Sequence, residues 1–213
     1  RVLANRTGCV VVALNYQKAP EHKFPVPLDD AWAALLWLNE HAEELGVDPT
    51  RIGVMGDSAG GNLATVTAMR ARDEGGPTLA CQILIHPVTD ADMDKPSYLA
   101  NAEGYMLQRG SMEAFYGHYL NDPKEGNDPH VSPLRAKHLG DLPPALVLTA
   151  EYDPLLDDGR LYARRLEAAG VTVKYSEYSG VIHGFLFMQG VLDASKRLHN
   201  EIGAWVRDVM RTR

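Results

Sequence analysis

The stretch Arg51-Ile-Gly-Val-Met-Gly-Asp-Ser-Ala-Gly-Gly61 decides the fold, because a short apolar run ends there in Gly56-x-Ser58-x-Gly60 and a helix-forming segment follows at once. This pattern predicts a sharp elbow between a strand and a helix, at which a Cβ on either flanking glycine would collide with its neighbours. The hydroxyl of Ser58 would then project from the top of a sheet. The backbone amide of Ala59, at a helix N-terminus, would be free to bind a developing negative charge.

Glycine-rich turns of this kind also occur in phosphate-binding folds and in ordinary tight connections. A phosphate site fits poorly, because the chain has neither a Gly-Lys-Ser/Thr ending nor a G-x-G-x-x-G after a strand. A nucleophilic serine instead requires an acid and then a histidine at the ends of later strands.

The candidate acid follows a later apolar run. Residues 144–150 form a continuous apolar segment of strand length, typical of a strand buried on both faces of a parallel sheet, and Asp153 lies just past it. An Asp before a proline is also common as a helix N-cap or turn residue. Asp157 or Asp158 could cap the helix predicted over residues 158–169, and each remains an alternative acid.

The candidate base is His183, which lies in the loop of residues 179–185 after a strand predicted over residues 171–178. A single loop histidine is usually a solvated side chain, but Gly184 directly after it allows the loop to fold close to a site. A hydroxyl of high intrinsic pKa needs a base to take its proton, and the base needs a carboxylate to orient it. Serine, acid and histidine at three strand ends of one sheet therefore predict nucleophilic catalysis.

Four motifs in this order resemble the hormone-sensitive-lipase-like branch of the α/β hydrolases, whose bacterial members are carboxylesterases. The resemblance extends from about Gly8 to the C-terminus, and the motifs are Asn15-Tyr-Gln-Lys-Ala-Pro-Glu-His-Lys-Phe-Pro25, Gly56-Asp-Ser-Ala-Gly-Gly61, Asp153-Pro-Leu-Leu-Asp157 and His183-Gly-Phe185.

The resemblance implies an α/β-hydrolase fold with a mostly parallel sheet and helices on both faces. It also implies a serine hydrolase in which Ser58 is the nucleophile, Asp153 the acid and His183 the base. The expected substrates are small carboxylic esters with short or medium acyl chains, cleaved through an acyl-enzyme without a cofactor. A non-catalytic small-molecule-binding protein on the same fold, similar to the plant gibberellin receptors, is the alternative; those receptors lack the catalytic histidine.

The chain departs from the family near its beginning. Family members have an earlier His-Gly-Gly-Gly loop that supplies most of the oxyanion hole, and this sequence has none. Loss of one oxyanion donor typically costs about 100- to 1000-fold in turnover. We therefore expect an N-terminally incomplete and weakly active enzyme, or an inactive fragment. Its sheet would carry an exposed edge, or the strand predicted over residues 9–15 would pair directly with the strand before Ser58.

The remaining predicted elements alternate between strand and helix, as in a parallel sheet covered on both faces. They are helices over residues 28–45 and 62–71, a strand over residues 79–85, and a last helix whose apolar residues recur at helical spacing from Val191 to Val209. Residues 1–213 are expected to form a single domain.

Residues 89–142 interrupt this alternation, and we expect them to form an insertion that covers the acyl pocket. The candidate wall residues are Tyr98, Tyr105, Met106, Phe115, Tyr116 and Tyr119, although most of these could instead pack a small core of the insertion itself.

Further residues near the elbow are candidates for supporting or facing the site. Gly56, Asp57, Gly60 and Gly61 are expected to support the elbow, and Asp57, beside the nucleophile, is expected to do so through hydrogen bonds. His86 follows the strand of residues 79–85 and could either face the site or cap that strand through ordinary hydrogen bonds.

Composition narrows the possible partners. The chain has 213 residues, of which 45% are hydrophobic and 23% charged, and a net charge of −7. This balance argues against nucleic acid and against anionic membrane surfaces, and no apolar run is long enough to span a bilayer. The absence of a secretory apolar segment favours a cytoplasmic location. Family members often form homodimers through the edge strand of residues 171–178, so a homodimer is possible.

The cysteines and histidines give no sign of a metal. Cys9 and Cys81 lie in apolar runs without a Cys-x-x-Cys spacing, so we expect free thiols. The eight histidines show no His-x-x-x-His or His-Glu-x-x-His spacing, and no metal is expected.

Overall fold

The computed structural model describes residues 1–211, which fold as alternating helices and strands. The α-helices are α1 (Val2–Thr7), α2 (Val26–Glu40), α3 (Ala59–Asp73), α4 (Pro96–Ala100), α5 (Arg109–Tyr119), α6 (Leu156–Ala168) and α7 (Asp193–Arg211). The strands are β1 (Gly53–Asp57), β2 (Cys81–Ile85), β3 (Ala145–Tyr152) and β4 (Val173–Ile182). Short 3₁₀ turns at Pro49–Arg51, Pro123–Asn127, Pro133–Arg135 and Phe185–Phe187 complete the described elements.

The strands form a four-stranded parallel sheet in the order β1-β2-β3-β4, so each strand lies beside the next one along the chain. Gly53 pairs with Cys81 at the start of β1, and Ile85 pairs with Leu148 further along the sheet. Parallel pairing places the carboxyl ends of all the strands at one edge of the sheet. This arrangement confirms the predicted parallel sheet and brings the loops after the strands together.

Helices cover both faces of the sheet, as predicted. One core joins sheet residues such as Leu84 and Val147 to α2, α3 and α6. The other joins Ile83, Leu146 and their neighbours to α7 and to Leu3 of α1. β2 is buried along its whole length, because alternate residues contact the two helical layers. Strands in this environment read as continuous apolar runs rather than as alternating ones.

The prediction of a strand over residues 9–15 is wrong. This segment has no regular structure, and its apolar side chains are exposed, Val10 at 65% and Val12 at 54%. In the part of the chain that the structure describes, β1 has no second neighbour and forms the edge of the sheet. An extended segment becomes a strand only when its backbone finds a partner, and residues 9–15 do not reach one.

The other predicted elements are present with shifted ends. α2 runs from Val26 to Glu40, whereas its prediction spanned residues 28–45, and residues 41–46 form turns instead. β2 begins at Cys81 rather than at residue 79. β4 continues to Ile182 and so delivers the loop of His183 directly.

The insertion of residues 89–142 contains α4, α5 and two of the 3₁₀ turns. Tyr98 is fully buried in a small core with Leu107 and Met112, as the alternative for these aromatic residues predicted. Lys95 joins the insertion to α6, because its Nζ lies 3.2 Å from a carboxylate oxygen of Asp158. The ion pair of this lysine fixes the insertion beside the loop that carries Asp153.

Candidate active site

Ser58 forms the elbow between β1 and α3. Its backbone has φ 58° and ψ −118°, a conformation that is costly for any residue with a side chain. The surrounding backbone holds it there, because the Ser58 amide donates to Ile85 O at 2.9 Å and the Ser58 carbonyl accepts from the Val88 amide at 3.3 Å. A residue whose backbone is kept in a strained conformation by its neighbours is a common feature of functional sites.

Of the three glycines expected to support the elbow, Gly56, Gly60 and Gly61, two leave no room for a side chain. A Cβ on Gly56 would lie 1.8 Å from Gly60 O, and one on Gly61 would lie 2.9 Å from Pro87 Cβ. A Cβ on Gly60 would meet no atom within 4 Å. The expectation that both flanks of the serine exclude a side chain is therefore wrong for Gly60. The crossing of the β1 backbone with the first turn of α3 creates the close contact, which the sequence pattern does not locate.

His183 joins Ser58 to Asp153. Its Nδ1 lies 2.6 Å from Asp153 Oδ2 and its Nε2 lies 3.1 Å from Ser58 Oγ. Because the carboxylate can only accept, Nδ1 donates to it, and Nε2 is then free to accept the hydroxyl proton of the serine. An imidazole in this position can act as a general base toward the serine hydroxyl.

The chain holds the carboxylate of Asp153 firmly. Asp153 is completely buried just past β3, and its Oδ1 accepts from the amide of Leu155 at 2.8 Å. Gly184 follows the histidine with φ 75°, a left-handed conformation that glycine adopts without strain. The carboxylate of Asp153 and the imidazole of His183 are thus both positioned by the backbone at strand ends.

The two alternative acids contact other partners. Asp157 Oδ2 accepts from the amide of Ser97 at 2.9 Å, and Asp158 Oδ2 accepts from the amide of Thr89 at 2.9 Å. Neither caps α6, whose N-cap is Leu155 without a side-chain cap bond. Both carboxylates therefore attach the insertion to the first turn of α6.

The expectation that Asp57 supports the elbow through hydrogen bonds is wrong. Its Oδ1 is buried and has no hydrogen-bond partner among residues 1–211. Burial raises the pKa of this carboxyl to about 6, while the nearby His183 lowers it and Asp153 raises it further. The prediction failed because Asp57 is the last residue of β1 and its carboxylate is turned toward the interior of the site.

His86 faces the site, which was one of its two predicted positions. It is completely buried, and its ring centre lies 4.3 Å from that of His183. Among the described residues neither ring nitrogen has a hydrogen-bond partner, so the alternative of a capping side chain is wrong. Burial, and then the neighbouring His183, place its pKa well below the usual value. Its position directly after an apolar strand is the signal by which the sequence identified it as a candidate.

A cavity of about 440 Å³ borders Ser58 and Ala59. One wall is α5, which contributes Met112, Phe115, Tyr116, His118 and Tyr119. Of the predicted wall residues, Phe115, Tyr116 and Tyr119 line this cavity, whereas Tyr98, Tyr105 and Met106 do not. The cavity is large enough for a small organic molecule and is mostly apolar.

One group of the described residues has the composition of a metal site. His86, Asp153 and His183 can place ligand atoms within 4.8 Å of one another. A metal ion there would have to break the 2.6 Å hydrogen bond between His183 and Asp153. These side chains fit a hydrogen-bonded acid and base better than a set of metal ligands. No described helix has both the length and the apolar character needed to cross a membrane.

Comparison with protein families gives one match along most of the chain. The family described as having the alpha/beta hydrolase fold matches residues 1–187. Among curated proteins, a carboxylesterase, NlhH, of Mycobacterium tuberculosis is 45% identical over 192 residues, covering 87% of this chain and 59% of its own length. An ethyl acetate hydrolase of Pseudomonas putida is 43% identical over 194 residues, covering 90% of this chain and 60% of its own length.

Solved structures give the same result. A thermophilic carboxylesterase cloned from a metagenomic library, EstE1, superposes with a TM-score of 0.95 at 42% identity, covering 98% of this chain and 71% of that one. A thermostable esterase from Pseudomonas putida superposes with a TM-score of 0.95 at 41% identity, covering 98% of this chain and 67% of that one. The chain thus spans less than two thirds of the length of these curated relatives.

Proposed function

Because the chain belongs to the α/β-hydrolase-fold family, we propose that it hydrolyses small carboxylic esters through a covalent acyl-enzyme on Ser58. The observation that carries this proposal is the continuous hydrogen-bond chain from Ser58 Oγ through His183 to Asp153, with distances of 3.1 and 2.6 Å. The names of the relatives, carboxylesterase and ethyl acetate hydrolase, support the choice of esters as substrates.

In the first step His183 Nε2 takes the proton of Ser58, whose oxygen attacks the ester carbonyl carbon. The histidine becomes an imidazolium, and the completely buried Asp153 stabilises this charge and fixes the tautomer. The imidazolium then gives its proton to the leaving alcohol, leaving an ester between the acyl group and Ser58.

In the second step the same histidine activates water. Water loses a proton to His183 Nε2 and attacks the acyl-enzyme carbonyl, and the proton returns to Ser58 Oγ when the carboxylic acid leaves. The chemistry therefore needs a base that is neutral before each attack. Activity should therefore rise with increasing pH, and a flat profile from pH 5 to 8 would argue against His183 as the base.

The amide of Ala59 is the proposed oxyanion donor. Ala59 is the first residue of α3, where backbone amides have no partner within the helix and the helix dipole favours negative charge. The carbonyl oxygen would lie beside this amide when Ser58 attacks. A single donor stabilises a developing oxyanion less than two or three do.

The acyl chain is proposed to occupy the cavity beside Ser58. Its volume of about 440 Å³ and its apolar wall from α5 suit a short or medium chain. The insertion of residues 89–142 carries that wall, so we propose that it covers the acyl pocket. The single domain of residues 1–213, with this insertion, is the unit to which we assign the reaction.

The test is hydrolysis of a nitrophenyl ester series by the wild type and by Ser58→Ala. We expect wild-type turnover that is lost in Ser58→Ala and kept in Ser111→Ala, a serine of α5 outside the elbow. A fluorophosphonate probe should label Ser58 alone, as determined by mass spectrometry. Tight binding of small apolar molecules without any turnover or labelling would support the binding-protein alternative instead.

We also propose that the protein forms a homodimer. β4 is at the outer end of the sheet order, so its free edge could pair with the same strand of a second copy. Light scattering should give a molar mass of twice that of the chain. Lys or Pro substitution at outward positions of β4 should reduce the measured mass to that of a single chain.

A further inference from the structure

A second acid and imidazole lie behind the three hydrogen-bonded side chains, and the proposed mechanism does not use them. Asp57 ends β1, His86 follows β2, and His86 Nδ1 lies 3.2 Å from Asp57 Oδ1. The His86 ring is tilted by 49° against the ring of His183, with 4.3 Å between the ring centres. Two acid–imidazole pairs therefore lie side by side at this site, and His183 of the first pair lies within hydrogen-bond distance of Ser58 Oγ.

The structure keeps this second pair in an unfavourable state. His86 Nδ1 and Asp57 Oδ1 lie within 3.2 Å of each other but are not aligned for a hydrogen bond. These two atoms and His86 Nε2 are buried and have no hydrogen-bond partner in the described residues. His86 also has a φ of 31°, which is unusual for a residue with a side chain. Unsatisfied polar groups and positive φ values each cost stability and occur preferentially at functional sites.

Titratable groups surround His183 at the ends of several strands. Asp153 after β3 contacts it directly, the ring of His86 after β2 packs against it, and Asp57 at the end of β1 lies beside His86. Burial, and then the carboxylate of Asp57, raise the pKa of the Tyr16 phenol. Burial keeps the pKa of His86 well below its usual value, so this imidazole is neutral and does not repel a charged His183. Of the groups around the base, the two aspartates are the carboxylates that can stabilise its positive charge.

We propose that His86 is a positioning residue for the imidazole of His183 and that Asp57 supplies a second negative charge that stabilises the imidazolium. This inference rests on the proposed ester hydrolysis, in which His183 becomes positively charged. The uncharged ring of His86 fills the space behind His183 and limits its rotation away from Ser58. The carboxylate of Asp57 acts through space and does not itself exchange a proton with the substrate.

The experiment compares Asp57→Asn and His86→Phe with the wild type in kcat and KM from pH 5 to 9, with a nitrophenyl ester as the probe. Asp57→Asn removes the charge at constant shape, and His86→Phe keeps a ring but removes both nitrogens. Asp141→Asn is the matched control, because it changes the net charge equally at a carboxylate that is 87% exposed. Circular dichroism verifies folding of every variant.

We expect Asp57→Asn to move the midpoint of the acid limb of kcat/KM to lower pH by roughly 0.5 to 1 unit, since one favourable charge is lost. Its kcat should fall about 10-fold with KM within about twofold, because the lost interaction exists only when the base is charged. His86→Phe should lower kcat by about 5- to 20-fold, again with little change in KM. The control should resemble the wild type.

A second readout does not need turnover. In a Ser58→Ala background, the ring protons of His183 are followed by NMR as a function of pH, with and without Asp57→Asn. A lower titration midpoint in the presence of Asp57→Asn supports the proposal even if no ester is hydrolysed. An unchanged midpoint, or kcat within twofold of the wild type in both Asp57→Asn and His86→Phe, overturns it. If His86→Phe does not fold, the isosteric Asp57→Asn still decides.

Discussion

We propose that Asp153 orients His183. The two carboxylate oxygens of Asp153 have separate partners. Oδ2 contacts His183 Nδ1 and Oδ1 accepts from the Leu155 amide. Asp153→Asn should lower kcat by about 10,000-fold with little change in folding, because an amide can present the wrong group to Nδ1. The measurement is kcat for a nitrophenyl ester. Asp157→Asn is the control, since that carboxylate contacts Ser97 instead, and a loss below tenfold in Asp153→Asn would contradict the assignment.

Asp57 should make the stability of the protein depend on pH. Its pKa is raised by burial from 3.8 to about 6, so the folded state favours the protonated form. The stability from this group is full below about pH 4 and is lost as pH rises through 6. Asp57→Asn lacks this dependence. The free energy of unfolding of the variant minus that of the wild type should therefore be roughly 1 to 3 kcal/mol larger at pH 8 than at pH 4. Urea denaturation at both pH values measures this, and a constant difference would refute it.

The residue scale also separates what the sequence could predict from what it could not. Ser58, Asp153 and His183 were identified because each follows a strand in the order that the chemistry requires, and the structure brings these side chains into hydrogen-bond contact. Their catalytic role stays a proposal. Two predictions were wrong: that Asp57 makes hydrogen bonds at the elbow and that Gly60 leaves no room for a side chain. Both features depend on which backbone segments cross, and short-range sequence patterns do not contain that information.

At the scale of elements, the crossing of β1 and α3 should tolerate no side chain at Gly56. A Cβ there would lie 1.8 Å from a backbone oxygen, so Gly56→Ala must move the elbow. We expect a loss of about 3 kcal/mol in stability and more than about 100-fold in turnover, since Ser58 would leave the reach of His183. Thermal unfolding and ester hydrolysis measure the two effects.

Gly60→Ala is the matched variant for this prediction, because its Cβ would meet no atom within 4 Å. Gly60 lies in the first turn of α3, where alanine is the better helix former. Its stability should stay the same or rise by up to about 1 kcal/mol. Equal losses in the two variants would show that the elbow is not the source of the constraint.

Elements that a run of apolar residues or their spacing identifies were predicted well. The parallel sheet and the covering helices followed from apolar runs and their spacing, and the resemblance to the hormone-sensitive-lipase-like branch is confirmed by the matching family and by relatives at 43 to 45% identity. The strand over residues 9–15 failed because an apolar run shows only that a segment can become a strand. Whether it does become a strand depends on a second segment that can pair with it, and β1 does not pair with residues 9–15.

For the whole molecule, the contact between α1 and α7 brings the beginning and the end of the described chain together. A Cβ on Gly203 would lie 2.6 Å from Arg6 O. Gly203→Val should therefore separate the two helices and lower the free energy of unfolding by about 1 to 3 kcal/mol. Activity per folded molecule should not change, because neither helix contributes a side chain to the site. Ala204→Val, an exposed neighbour on α7, is the control, and an equal loss there would attribute the effect to helix propensity alone.

The spacing of the site along the chain has a consequence for biosynthesis. Ser58 and His183 are separated by 125 positions, and the histidine follows the last of the four strands. A polypeptide leaving the ribosome exposes its serine long before the imidazole has been translated. If Ser58 reacts as proposed, the growing chain cannot attack esters in its surroundings. The serine then becomes reactive only after β4 has paired with β3 and has brought His183 to it.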